Sequence, residues 1–125
     1  MQKTIFVVDD NDMNLTVAKE ALKEKYRVMT MPSAEKMFKL IEKITPDLIL
    51  LDIYMPGMDG FEALQCLKNN SAQANIPVIF LTSTVDASIE SRGHQLGVID
   101  FITKPFLAPV LIEKLKEHLN AGSAE

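Results

Sequence analysis

The sequence predicts an α/β fold: a doubly wound parallel sheet of five strands in the order 2-1-3-4-5. Three observations carry this. Short apolar runs alternate five times with segments of helical spacing, which implies βαβ units with right-handed crossovers. The first, third and fourth runs are nearly unbroken in apolar residues, as strands buried on both faces of a parallel sheet require. The loops are short throughout, and no repeat or low-complexity tract interrupts the alternation.

The elements follow in order. "TIFVV" (4–8) is the first strand. Asp12 can cap the next helix, whose apolar side is Leu15, Ala18 and Leu22. "YRVMT" (26–30) mixes in polar residues and belongs at an edge. Ser33 can cap a helix with Ala34, Met37, Phe38 and Ile41 on one side. "DLILL" (47–51) is the buried third strand. Asp59 caps a helix carrying Leu64 and Leu67. "PVIFLT" (77–82) is the fourth strand. Asp86 precedes a helix with Ile89, Gly93 and Leu96, and Gly97 ends it as a C-terminal glycine does. "VIDFIT" (98–103) is the second edge strand. Pro109 then sits in the first turn of a last helix with Ile112, Leu115 and Leu119. This is the smaller, flavodoxin-like doubly wound arrangement. Residues 1–120 read as one domain, and 121–125 as a flexible tail or the start of a linker.

Composition narrows the function. The 125 residues suit a single domain. Thirteen basic and seventeen acidic residues give a formal net charge of −4, which argues against a nucleic-acid surface. No apolar run is long enough to span a membrane, and the N-terminus lacks a signal peptide. The single cysteine, Cys66, can form no intrachain disulfide and sits in mid-helix, where packing or surface placement is its ordinary role. A cytoplasmic setting fits.

Ligands of doubly wound sheets bind beyond the carboxyl ends of the strands, where the strand order reverses. Here that point lies between strands 1 and 3. Strand 1 runs into Asp9 and Asp10, and strand 3 into Asp52. Strand 4 ends in Thr82, and strand 5 leads to Lys104. Each residue alone has an ordinary reading: an Asp after a strand caps a turn, a lysine is solvated, a threonine is β-branched. Together they place three carboxylates, a hydroxyl and an ammonium at one end of neighbouring strands. Close carboxylates raise one another's pKa. A hard cation such as Mg²⁺ relieves that repulsion. Hydroxyl and ammonium suit phosphoryl oxygens, and a carboxylate can itself be a nucleophile. There is no Walker A motif, no zinc-spaced Cys/His set and no Ser-His-Asp arrangement. His94 and His118 fall on late helices, where surface placement is expected.

The motifs "VVDDN" (7–11), "DLILLDIYMPGMDGFE" (47–62), "PVIFLTS" (77–83) and "DFITKPF" (100–106) resemble, in order and spacing, the response-regulator receiver domain of two-component signalling. The resemblance spans roughly residues 3–119. It implies that Asp52 is the phosphoacceptor, taking a phosphoryl group from a phosphohistidine donor. It implies that Asp9 and Asp10 organise Mg²⁺, with Asp10 the direct ligand, Asp9 acting through water, and Asp52 and the Tyr54 backbone carbonyl as further ligands. Thr82 resembles the switch hydroxyl, Lys104 the lysine that pairs with the phosphoryl group, and Phe101 the switch aromatic. Phosphorylation would draw in Thr82, repack Phe101 and remodel the face of helix 4, strand 5 and helix 5. Tyr54 and Thr84 fall where the family tunes the lifetime of the acyl phosphate. A cis Lys104–Pro105 bond is also expected, since the lysine must enter the crevice while the chain turns back. Partners would be a histidine kinase or histidine phosphotransfer protein, with a possible effector domain or target protein. The activity would be phosphorylation and self-dephosphorylation of its own Asp52, not conventional catalysis.

Three features depart from the family pattern. Ser83 and Val98 replace smaller residues, and Phe101 lacks a tyrosine hydroxyl, so any coupling to Thr82 must act through packing. Rival readings are a degenerate receiver serving only as a protein-binding module, a Mg²⁺-dependent aspartyl-phosphate phosphatase, and a flavodoxin-like cofactor binder. The intact Asp52, Thr82 and Lys104 set argues against the first. Tyr54 stands where the second needs an acid, and "DDNDMN" (9–14) would repel the phosphate of the third.

Overall fold

The computed structural model describes residues 2–120; the expected tail, 121–125, lies outside them. Strands and helices alternate as β1 (Thr4–Val8), α1 (Asp12–Leu22), β2 (Arg27–Met31), α2 (Ala34–Ile41), β3 (Leu48–Asp52), α3 (Gly60–Asn69), β4 (Val78–Thr82), α4 (Ala87–Leu96), β5 (Asp100–Thr103) and α5 (Ala108–Asn120). The sheet order is β2-β1-β3-β4-β5, all parallel, as the sequence predicts.

Side-chain alternation divides the core. Phe6, Val8, Ile49, Leu51, Val78 and Phe80 face α2, α3 and α4. Ile5, Val7, Leu48, Leu50, Ile79 and Leu81 face α1 and α5. The central strands are thus covered on both faces, which explains their unbroken apolar runs. Each such side chain contributes about 1.5–3 kcal/mol by leaving water. Truncating one, as in Leu50→Ala, costs about 2–5 kcal/mol.

Local chemistry sets the boundaries. Ser33 accepts the Lys36 N–H at 3.2 Å. Asp59 and Glu62 form a reciprocal capping box at the start of α3. Asp86 accepts the Ile89 N–H at 2.9 Å, and Gly97 closes α4 with φ +100°. Besides one-residue shifts at β2, β3 and β4, two boundaries differ from expectation. The cap of α1 is Asn11 rather than Asp12, because the Asn11 N–H donates to Asp9 Oδ1 at 2.9 Å and the chain turns one residue earlier. Asp12 becomes the first helical residue, where its charge suits the helix dipole. β5 begins at Asp100 rather than Val98, because the Val98 N–H is still closing α4 on the Gly93 carbonyl. The Lys104–Pro105 bond is cis. No helix among the described residues is long and apolar enough to cross a membrane.

Candidate functional site

The register brings the strand ends level: Val8 pairs with Leu51, Asp52 with Leu81, and Thr82 with Thr103. The ladder continues past β1 and β5, with Asp9 N–H bonded to the Met31 carbonyl and Lys104 N–H to the Thr82 carbonyl. Alternation therefore carries Asp9, Asp52 and Lys104 toward the α1/α5 side. Thr82 shares the opposite face with Phe80 and Phe101.

Lys104 Nζ lies 3.0 Å from Asp9 Oδ2 and 3.0 Å from Asp52 Oδ1. One ammonium thus bridges two carboxylates that are almost fully buried. Asp9 is held further by the Asn11 N–H at 2.9 Å and the Asn14 amide at 3.2 Å. Asp52 Oδ1 also accepts the Tyr54 N–H at 3.3 Å. Burial is the largest influence on Asp52 and raises its carboxyl to about 6; Asp9 raises it too, against the pull of Lys104. At neutral pH it is still mainly ionised. Burial alone would lower the Lys104 ammonium, but its bonds to Asp9 and Asp52 hold it above the ordinary lysine value.

Asp10 is exposed at the rim, and its carboxylate joins those of Asp9 and Asp52 within 4.8 Å of one another. This all-oxygen, acidic donor set suits a hard divalent cation. Thr82 is buried, and its hydroxyl donates to the Thr84 carbonyl at 2.9 Å while accepting the Thr84 N–H at 3.2 Å. It therefore points to the β4–α4 loop. Tyr54 is 58% exposed beside Asp52, and Phe101 is partly buried on β5. Two surface depressions of about 440 and 340 Å³ lie over Phe38 and Met58 and over the lysines of α2, and none of the site carboxylates lines them.

Other residues hold the site without having stood out in the sequence. A Cβ at Gly60 would sit 2.5 Å from the Asp52 carbonyl oxygen and 2.7 Å from Ile53 Cα, so only glycine lets α3 start directly beneath the strand end. The Gly60 N–H bonds the Ile53 carbonyl there at 2.7 Å. Glu35 reaches from α2 to the Met58 N–H at 3.4 Å, and Gly57 turns the loop with φ +78°. The glycines at 57 and 60 are ordinary turn signals in the sequence; nothing local points to Glu35 or Asn14.

The chain is similar to known proteins along almost its whole length. A sequence profile described as the response regulator receiver domain matches residues 5–116. The polar-differentiation response regulator DivK of Brucella ovis is 32% identical over 120 residues, covering 95% of this chain and 98% of that protein. A probable cyclic di-GMP phosphodiesterase of Vibrio cholerae is 36% identical over 118 residues; the match covers 94% of this chain but only 27% of that protein. Among solved structures, the Vibrio cholerae chemotaxis protein CheY4 superposes with a TM-score of 0.90 at 24% identity, covering 94% of this chain and 98% of that one, a likeness of fold.

Proposed function

The chain belongs to the response regulator receiver domain family of two-component signalling, and from that membership we propose that Asp52 accepts a phosphoryl group from a phosphohistidine donor. The supporting observation is the buried bridge of Lys104 between Asp9 and Asp52. Asp52 Oδ1 carries the bonds from Lys104 and Tyr54. Oδ2 carries neither, and in this reading it is the oxygen that attacks phosphorus. In that step an O–P bond forms as the donor's N–P bond breaks, and the imidazole leaves with its electron pair. The chain supplies positioning and charge stabilisation.

Lys104 serves both states. It neutralises part of the carboxylate charge beforehand and follows the phosphoryl oxygens afterward. Asp9, Asp10 and Asp52, with the Tyr54 carbonyl, would hold Mg²⁺, which when bound would offset charge on the transferred group. The Thr82 hydroxyl would leave Thr84 and donate to a phosphoryl oxygen. Freed from Thr82, the β4–α4 loop would change the face of α4, β5 and α5 that a partner reads. Partners in this reading are a histidine kinase or phosphotransfer protein upstream and an effector or target protein downstream. Tyr54 and Thr84 flank the path of attacking water and set the lifetime.

Intact-mass spectrometry after incubation with acetyl phosphate and Mg²⁺ tests the assignment. Wild type gains one phosphoryl group, and Asp52→Asn gains none. A full adduct on the variant would move the nucleophile elsewhere.

A further inference from the structure

Glycine inside a helix is unfavourable relative to alanine, because it loses more backbone freedom on folding. α4 nevertheless carries Gly93 in its interior, and it is the buried residue of that helix. A local rule broken inside an element asks for a compensating contact. Here it is the ring of Phe101. A Cβ at position 93 would meet Phe101 Cζ at 2.7 Å and Cε2 at 3.2 Å, and Val98 Cγ1 at 3.0 Å. The ring fills the volume that any side chain at 93 would need.

The seat has further walls. His94 meets the ring edge-on, with centroids 5.4 Å apart and planes at 81°. Phe80, opposite Phe101 in the β4–β5 register, packs at 6.0 Å. Phe80 also stands two residues before Thr82 on the same face of β4. The aromatic is thus settled against α4, on the same face of the sheet as Thr82.

We propose that Gly93 is a positioning residue for the phosphorylation response: by lacking a side chain it seats Phe101 inward against α4, the ring position that favours Thr82 turning toward Asp52. This rests on Asp52 being the phosphoacceptor. A side chain at 93 drives the ring toward solvent and disfavours the phosphoryl-bound arrangement. A ligand at Asp52 then has to work against that displacement, so its apparent affinity falls. Phe101 has no hydroxyl to hydrogen-bond with Thr82, so packing is the means by which the two are coupled.

The test is a titration with beryllofluoride and Mg²⁺, read by amide chemical shifts of Thr82 and Phe101. It uses wild type, Gly93→Ala, Phe101→Ala and the double variant, with Asp52→Asn as the site control. Gly93→Ala is expected to bind about fivefold more weakly, within the usual range of site-to-site coupling. In the Phe101→Ala background the same change is expected to have no effect, since the clash is gone. His94→Ala, which removes a wall without adding a Cβ, is expected to weaken binding by a smaller factor, and it carries the test if Gly93→Ala does not fold. Equal affinities for wild type and Gly93→Ala overturn the inference. So does a Gly93→Ala effect that persists without the Phe101 ring. Wild type that binds no better than Asp52→Asn overturns instead the reading of Asp52, and this inference with it.

Discussion

The two ends of β5 solve opposite electrostatic problems. Beyond its C-terminal end, the single ammonium of Lys104 serves two buried carboxylates, Asp9 and Asp52. At its N-terminal end, the single carboxylate of Asp100 is served by Lys114 Nζ at 2.9 Å, by His118 Nε2 at 2.9 Å and by the Phe101 N–H at 2.7 Å. Burial pushes both Asp52 and Asp100 upward. At Asp52 burial wins, and the carboxyl rises to about 6. At Asp100 the bonds from His118 and Lys114 outweigh burial, and the carboxyl lies below its ordinary value. A carboxylate short of positive charge is ready for chemistry or a cation. A carboxylate held by Lys114, His118 and a backbone N–H is a clasp, here joining β5 to α5.

Breaking the first end should cost most. Lys104→Met leaves Asp9 and Asp52 buried with no counter-charge. Removing one partner of a buried ion pair typically costs about 3–5 kcal/mol. Urea denaturation in metal-free buffer should show a loss on that scale, and acetyl phosphate labelling should fall sharply. A loss under about 1 kcal/mol would mean that solvent already screens the pair.

Neutralising Asp52 should act in the other direction on stability. Its folded pKa lies above the unfolded value of 3.8, so the folded state favours the protonated form. Stability therefore falls as pH rises from about 4 to above 6, with the ionised form disfavoured by roughly 2–3 kcal/mol at about 1.4 kcal/mol per unit. Asp52→Asn removes that penalty. In metal-free buffer it should raise Tm at pH 7.5 and have little effect near pH 4. A variant less stable than wild type at pH 7.5 would show that Lys104 depends on the Asp52 charge more than burial opposes it.

The smallest effect belongs to the other end of the strand. Asp100 has a lowered folded pKa, so its contribution is present above the ordinary carboxylate value and is lost as pH falls through the folded value. The groups are partly exposed, and the contribution should be about 1 kcal/mol or less. Asp100→Asn should destabilise at pH 7, with the difference from wild type shrinking as the buffer is taken below about pH 4. A difference independent of pH would assign the effect to the Phe101 N–H bond rather than to Lys114 and His118.

Local pattern determined a great deal of this molecule. Apolar runs of strand length, helical spacing and the residues Ser33, Asp59, Asp86 and Gly97 act within a few positions of one another, so the five βα units and the sheet order are legible without coordinates. The crevice is legible too, because strands of one sheet must end side by side and Asp9, Asp52, Thr82 and Lys104 all stand at those ends. Tertiary structure decided what those residues do to each other. Lys104 comes to bridge Asp9 and Asp52 only through the side-chain alternation and stagger of three strands. His118 turns from an expected surface residue into a partner of Asp100, and Gly60 and Gly93 are needed for atoms of the neighbouring elements that pack onto them. The physical reason is range. Caps and periodicity depend on backbone geometry over one or two turns, whereas ion pairs, ring seats and missing Cβ atoms depend on ångström distances between segments that meet only once the sheet has formed.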